Sequence, residues 1–209
     1  MTLANRLTLL RIALIPLFVL VFFLPFQGAH FLAALIFSAA AITDWADGYV
    51  ARKYNQSTKL GAFLDPVADK LMVVIALVLL VTLHPKAWFA VCAVVIVGRE
   101  IVISALREWM AELGQRASVA VSYIGKIKTT LQMVALIVLL ADFTWLNWAG
   151  FIALVAATAL TLWSMVLYLK AAAPFLLAEM GAADSQGAPQ DEGAVQEQPI
   201  KTDENPPGP

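Results

Sequence analysis

Residues 44–69, DWADGYVARKYNQSTKLGAFLDPVAD, hold four carboxylates in an otherwise apolar part of the chain. Two of them are three residues apart and the other two are four residues apart, so each pair shares one face of a helix. Residues 53–59, which separate the pairs, are polar and cationic and favour a turn between two antiparallel helices. The stretch therefore predicts two acidic helix faces that meet. The carboxylates belong to Asp44, Asp47, Asp65 and Asp69.

Four ionised carboxylates that face each other near lipid need a compensating charge. An ionised side chain at the centre of a spanning helix costs roughly 2.5–3.5 kcal/mol on insertion scales. Two divalent cations would match the four negative charges, and Mg²⁺ prefers oxygen ligands and phosphate substrates. The sequence therefore predicts two Mg²⁺ ions here, with Mn²⁺ as the alternative metal.

An alternative is that these aspartates cap helices or form ion pairs with neighbouring cations. Capping needs one acidic residue at each helix end, whereas here two lie in register on each of two helices. This pattern favours the metal site over the alternative. The neighbouring cations are Arg52, Lys53, Lys59 and Lys70.

The composition is that of a polytopic membrane protein with an all-α fold. Hydrophobic residues make up 61% of the chain and charged residues 14%, and the mean hydropathy is +0.79. Six apolar segments are each near the roughly 20 residues that a spanning helix needs. The single cysteine, Cys92, excludes an intrachain disulfide. The segments cover about residues 7–26, 31–52, 60–83, 88–110, 119–141 and 147–170.

The distribution of Lys and Arg predicts the orientation of these segments. With the N-terminus inside, the cations concentrate on the cytoplasmic side and only Lys86 lies clearly outside. The four aspartates then lie at the cytoplasmic end of their helices, in an inner membrane. The cations on or near the cytoplasmic side are Arg6, Arg11, Arg52, Lys53, Lys59, Lys70, Arg107, Arg116, Lys126, Lys128 and Lys170.

The two ends of the chain differ in character. Residues 2–11 either form a helical stub on the membrane surface or point Asn5 and Thr8, three residues apart, at the acidic site. At the other end, Gly, Pro, Gln, Asp and Glu dominate and apolar residues are few. We therefore expect a membrane domain over residues 1–175 and a disordered acidic tail over 176–209 that takes no part in the chemistry.

The spacing D-x2-D-G-x2-A-R-x8-G-x3-D-x3-D, which begins at Asp44 and ends at Asp69, resembles the signature of the CDP-alcohol phosphotransferase family. The resemblance extends over about residues 5–171. It implies six membrane helices around a cytoplasm-facing polar cavity, commonly in a homodimer, with membrane lipids and no nucleic acid as partners. It also implies that an acceptor hydroxyl attacks the lipid-linked phosphate of CDP-diacylglycerol and that CMP leaves.

The resemblance implies a role for each residue of the signature. Asp44 and Asp65 would bridge the two metal ions, while Asp47 would complete one coordination shell. Asp69 would complete the other shell and accept the proton of the incoming alcohol. Gly48 and Gly61 leave room for the nucleotide to approach the carboxylates. The residues that match the CDP-diacylglycerol-binding positions are Asn5, Thr8, Gly48, Arg52, Thr58 and, beside the carboxylates, Gly61.

Two cationic blocks bear on the acceptor alcohol. Residues 98–108 and 125–129 resemble the corresponding blocks of family members that use glycerol 3-phosphate. Cations beside a diphosphate site favour an anionic second substrate, so glycerol 3-phosphate is the expected acceptor. Inositol phosphate is the nearest alternative, and serine or choline would need the cations less. The candidate acceptor-binding residues are Arg99, Arg107, Lys126 and Lys128.

Other interpretations of these cations and of the acidic cluster are also open. Arg99 could simply pair with Glu100 or an aspartate, and the lysines could extend to the membrane surface. A secondary transporter would hold its carboxylates near the midplane, commonly in broken helices of repeated halves. Here they are predicted at one end, and no repeat is evident. A polyprenyl-type synthase would place its aspartates in a soluble helical bundle and would leave Arg52 without a role.

Overall fold

Six α-helices form the regular structure of the part of the chain that is described, which contains no strand. This computed structural model describes residues 3–54, 59–112, 114 and 123–187, and side chains within 7–44, 61, 63–112, 114 and 127–177. The predicted all-α fold is therefore confirmed for these residues. The helices are α1 (Leu3–Phe22), α2 (Ala29–Tyr54), α3 (Lys59–Leu83), α4 (Ala87–Glu112), α5 (Tyr123–Ala141) and α6 (Asn147–Gly187).

Two helices end at residues other than those expected. The first apolar segment was expected to continue to about residue 26, but α1 ends at Phe22. Pro25 follows and cannot donate a backbone hydrogen bond, and Gly28 then turns the chain with a positive φ of 100°. At the other end, α6 continues to Gly187. The disordered tail expected from residue 176 is therefore wrong for residues 176–187, where Ala, Leu, Met and Glu favour helix.

Among the residues whose side chains are described, three helices contain stretches long and apolar enough to cross a membrane, namely Phe63–Leu83, Ala87–Glu112 and Asn147–Leu177. Shorter apolar helical stretches cover Leu7–Phe22, Ala29–Asp44 and Ile127–Ala141. The shorter stretches are bounded in part by the limits of the described side chains. The chain is thus rich in apolar helices of membrane type.

The core lies at one end of the helices and leaves the other end for polar residues. Helix α1 packs on α2 and α3, α2 also packs on α5, and α3 packs on α4 and α5. Successive helices alternate in direction. The core is therefore formed by residues at the end of α1, the start of α2 and the ends of α3 and α5. The opposite ends of the same helices therefore meet at a second place. The largest fully buried core side chains are Phe18, Phe37, Phe89, Leu77, Leu80, Ile96, Leu136, Leu139, Leu140 and Leu154.

Helix α6 approaches α5 closely at a glycine. A Cβ added at Gly150 would lie 2.8 Å from Cγ of Leu139 and 3.0 Å from Cγ1 of Val138. The absence of a side chain at this position is what permits the close approach. By its contacts the chain divides after Ala172, and residues 1–172 include the core and the candidate site.

Candidate active site

The acidic residues of α2 and α3 meet at the end of the helices opposite the core. The carboxyl groups of Asp44 and Asp69 both contact Nη1 of Arg11, and Asp65 acts electrostatically on Asp69. Asp47 lies on α2, but its side chain is outside the described residues. The structure thus brings together the three predicted carboxylates whose side chains it describes.

Helix α1 supplies a cation to this cluster that the sequence did not identify as a site residue. Arg11 is only 1% exposed. Its Nη1 donates to Oδ1 of Asp69 and lies 3.1 Å from Oδ1 of Asp44. Arg11 was interpreted as a marker of the cytoplasmic side, although its position three residues after Thr8 places both on one helix face. That spacing was the signal that could have identified it.

Helix α1 also supplies a hydroxyl. Thr8 is 1% exposed, and its Oγ1 donates to Oδ1 of Asp65 at 2.5 Å. Of the two interpretations of the N-terminal segment, the structure therefore favours the one in which Thr8 faces the acidic site. The side chain of Asn5 lies outside the described residues, although its backbone belongs to α1.

The donor set of the acidic cluster suits a hard divalent cation. Its described members offer carboxylate oxygens, which are the ligands that Mg²⁺ and Mn²⁺ take. Within the described side chains no group of three His, Cys, Asp or Glu is arranged as a complete metal site. The side chain of the fourth predicted ligand, Asp47, lies outside the described residues. The carboxylate oxygens of the cluster suit a divalent metal ion, and the cation of Arg11 also compensates part of their negative charge.

The remaining nucleotide-site candidates are placed only in part. Gly61 is buried on α3. Gly48 and Arg52 lie on α2, with their surroundings outside the described side chains, and Thr58 lies outside the described residues altogether. Because α1 begins, α2 ends and α3 begins at this end of the structure, the backbone brings these segments near each other.

A cavity of about 260 Å³ opens beside Asp44 and Asp69. Three of the four candidate acceptor-binding cations line it, so α3, α4 and α5 place both charge types around one space. The side chain of Lys126 lies outside the described residues. The cations are Arg99, Arg107 and Lys128, and the other polar residues of the lining are Lys70, Glu100, Thr129, Gln132 and Tyr168.

Arg99 is held on two sides by neighbouring side chains. It is 7% exposed, and its Nη1 lies 3.2 Å from Oε2 of Glu100. Its Nη2 donates to Oγ of Ser164 at 3.2 Å. The pairing with Glu100 that the sequence suggested as an alternative is therefore present. Within the described part of the chain, however, Nε of Arg99 is buried and has no hydrogen-bond partner.

Tyr168 of α6 joins the two arginines of the cavity. Nη2 of Arg107 donates to its hydroxyl at 2.8 Å. The guanidinium carbons of Arg107 and Arg99 lie 5.1 Å and 5.9 Å from the centre of its ring. The sequence did not identify Tyr168, because an uncharged tyrosine in an apolar helix is typical of many membrane proteins. Its contacts follow only from the packing of α6 beside α4.

Over most of its length the chain is similar to proteins of one known family. Residues 1–169 match the family model described as CDP-alcohol phosphatidyltransferase. Over 172 residues the chain is 58% identical to the CDP-diacylglycerol–glycerol-3-phosphate 3-phosphatidyltransferase of Escherichia coli (strain K12), covering 82% of this chain and 94% of that protein. The proteins of the same description from Shigella sonnei (strain Ss046) and Salmonella typhimurium (strain LT2) match with the same identity and the same shares. The matched length includes the acidic cluster and the cationic cavity.

Proposed function

Because the chain belongs to the CDP-alcohol phosphatidyltransferase family, we propose that it transfers the phosphatidyl group of CDP-diacylglycerol to glycerol 3-phosphate. The products are phosphatidylglycerol phosphate and CMP. One observation carries the choice of chemistry and acceptor together: a single cavity is lined by two aspartates of the family signature and by Arg99, Arg107 and Lys128. The 58% identity to enzymes named for this reaction supports the same conclusion.

The four aspartates are the proposed metal ligands. Asp44, Asp47, Asp65 and Asp69 would hold two divalent ions, Mg²⁺ or Mn²⁺, which when bound neutralise charge on the diphosphate of the donor. Arg11 and Thr8 orient the carboxylates for this task, because one contacts Asp44 and Asp69 and the other contacts Asp65.

Asp69 is the proposed base. It borders the cavity that also holds the acceptor-binding cations, so an acceptor hydroxyl could lie beside it. As the bond between this oxygen and phosphorus forms, the hydroxyl proton moves to a carboxylate oxygen of Asp69 and the bond to the CMP oxygen breaks. An aspartate is a weak base for an alcohol, so the proton transfers late, when bond formation has made the hydroxyl acidic.

The cationic residues are the proposed binding site for the acceptor phosphate. Glycerol 3-phosphate is close to a dianion at neutral pH, and guanidinium and ammonium groups in a partly buried cavity match that charge. Lys128 is 4% exposed and Arg99 is 7% exposed, so a phosphate between them would be largely removed from water. Serine and choline lack a phosphate group, whereas inositol phosphate has one and would compete for these cations. Lys126 completes the proposed set.

The donor is proposed to bind where α1 begins, α2 ends and α3 begins. By resemblance to the family, its CDP part would contact Asn5, Thr8, Gly48, Arg52, Thr58 and Gly61. We further infer six spanning helices, a homodimer, and an active site that faces the cytoplasm from the inner membrane. The excess of Lys and Arg at the site end of the helices supports this orientation.

Release of CMP by the purified protein tests the proposal. CDP-diacylglycerol in detergent is offered with glycerol 3-phosphate, inositol 3-phosphate, serine or choline, each with Mg²⁺, with Mn²⁺ or with EDTA. We expect release only with glycerol 3-phosphate and a divalent metal, and recovery when metal is returned after EDTA. Faster release with another acceptor would reject the assigned substrate, and release that ignores both acceptor and metal would reject the reaction.

A further inference from the structure

Helix α6 presents two side chains, one turn apart, to the arginines of α4. Oγ of Ser164 accepts from Nη2 of Arg99, and Oη of Tyr168 accepts from Nη2 of Arg107. Ser164 is 2% exposed and Tyr168 is 8% exposed, so these contacts are shielded from water. Ser164 in turn donates to the carbonyl oxygen of Thr161 at 2.9 Å, which fixes the direction of its hydroxyl.

The tyrosine ring contributes a second type of contact. The guanidinium carbons of Arg107 and Arg99 lie 5.1 Å and 5.9 Å from its centre, within the distance at which a cation is attracted to an aromatic face. Tyr168 therefore restrains two cations that would otherwise repel each other across the cavity. Long arginine side chains lose much rotamer freedom when a ligand orders them, and prior ordering removes that loss from binding.

These contacts leave donors for a ligand. Within the described part of the chain, Nε of Arg99 is buried without a partner. Arg99, Arg107 and Tyr168 all line the cavity that contains Asp69. An anion with several acceptor oxygens would satisfy the arginine donors that α6 does not use.

We propose that Tyr168 and Ser164 are positioning residues that hold Arg107 and Arg99 in the orientation that binds the phosphate of the acceptor. In this way α6 sets the preference for a phosphorylated acceptor, although Tyr168, its described contribution to the cavity lining, is uncharged. The inference rests on the proposed function, since it assigns these residues to the acceptor site of that reaction.

Steady-state kinetics of Tyr168→Phe test the proposal. This change removes the hydroxyl that Arg107 uses and keeps the ring. We expect KM for glycerol 3-phosphate to rise roughly tenfold, as for the loss of a hydrogen bond to a charged group, while kcat and KM for CDP-diacylglycerol stay close to wild type. Ser164→Ala should raise the same KM through Arg99. Thr158→Val is the matched control, because it removes a buried hydroxyl of α6 that donates to the carbonyl oxygen of Leu154 within its own helix.

A double-mutant cycle separates positioning from general stability. If Tyr168 acts through Arg107, then Tyr168→Phe should raise KM for glycerol 3-phosphate much less in an Arg107→Lys background than in the wild type. An equal increase in both backgrounds, or a parallel increase in KM for both substrates, would overturn the inference. So would wild-type constants in both Tyr168→Phe and Ser164→Ala. If the wild type itself released no CMP with glycerol 3-phosphate, the proposed function would fail instead.

Discussion

Arg11 shows how one buried cation ties the carboxylates of two helices together. Its guanidinium contacts Asp44 on α2 and Asp69 on α3, so α1 holds in register the two acidic faces that would otherwise repel. The carboxylates remain 44% and 40% exposed while the side chain of Arg11 is 2% exposed. The carboxylates are thus held by a buried arginine on one side and remain accessible on the side where substrate would enter.

The base role of Asp69 leads to a first prediction. Asp69→Asn keeps the shape of the side chain and an oxygen that can accept from Arg11, but the amide cannot take the hydroxyl proton. Loss of a general base typically lowers the rate by about 10²–10⁴-fold. We therefore expect CMP release to fall by at least about 10²-fold, with the melting temperature near wild type.

Asp142→Asn is the control for this variant. Asp142 lies between α5 and α6, at the end of the helices that the site does not occupy, and its amide variant should retain turnover. Full activity in Asp69→Asn would rule out the base role, whatever the control does.

The residue scale also shows what the sequence could and could not predict. The aspartates were identified because charge in an apolar helix is expensive. Arg99, Arg107 and Lys128 were identified because they lie in blocks that resemble those of family members that use glycerol 3-phosphate. Tyr168 and Ser164 carry no charge, so nothing in their own chemistry separates them from other helix residues. Their role depends on which face of α6 lies beside α4, and that is a property of packing.

At the scale of helices, the contact between α5 and α6 predicts an effect on stability. Gly150→Ala would place a methyl group 2.8 Å from Cγ of Leu139, a fully buried side chain. Overpacking of this kind typically destabilises by about 1–3 kcal/mol, so the melting temperature in detergent should fall. Gly98→Ala is the matched control, because nothing lies within 4 Å of its added Cβ. A melting temperature for Gly150→Ala at or above that of Gly98→Ala would contradict the close approach.

The turn between α3 and α4 predicts a dependence on pH. Burial lowers the pKa of His84 below its ordinary value, and Lys86 and His30 act in the same direction while Asp142 opposes them. Within the described residues its Nε2 is buried without a partner. Because the unfolded chain then binds the proton more readily, the stability from neutral His84 is present above about pH 6.5 and is lost as the pH falls below it.

His84→Phe tests this dependence. The ring of His84 lies 5.0 Å from that of Phe151 and 5.7 Å from that of Phe89, so phenylalanine retains the aromatic contacts without the titration. We expect the melting temperature of the wild type to fall more steeply than that of the variant between about pH 7.5 and pH 5.5. Parallel curves would show that His84 does not contribute.

For the whole molecule, the match to the family leaves out the C-terminal segment. The family model ends at residue 169, and the described helix ends at Gly187. A variant that lacks residues 188–209 should retain kcat and both KM values within about twofold, because these residues follow the part of the chain that matches the family and chain termini commonly tolerate removal. CMP release by the two proteins, purified side by side, measures this, and a marked loss of activity would assign the tail a role in the chemistry.

At this scale the sequence predicted more of the fold than of its packing. The number of helices and the two that carry the aspartates follow from segment length and from charge placement. The pairing of the helices does not follow from the sequence. Membrane helices associate through the fit of small and large side chains, and the hydrophobic pattern of the sequence does not show this fit. The pairing of α2 with α5, and the approach of α6 through Gly150, had to be seen in the structure.

The separation of an apolar core at one end from a polar site at the other has a genetic consequence. Changes at Leu77 or Leu80, which are buried in the core away from the acidic cluster, can affect catalysis only by loosening the fold, so a screen should recover them as heat-sensitive alleles. Changes at Asp44 or Asp69 remove activity at every temperature. The type of mutant phenotype should therefore depend on whether the residue lies at the core end or at the site end of its helix.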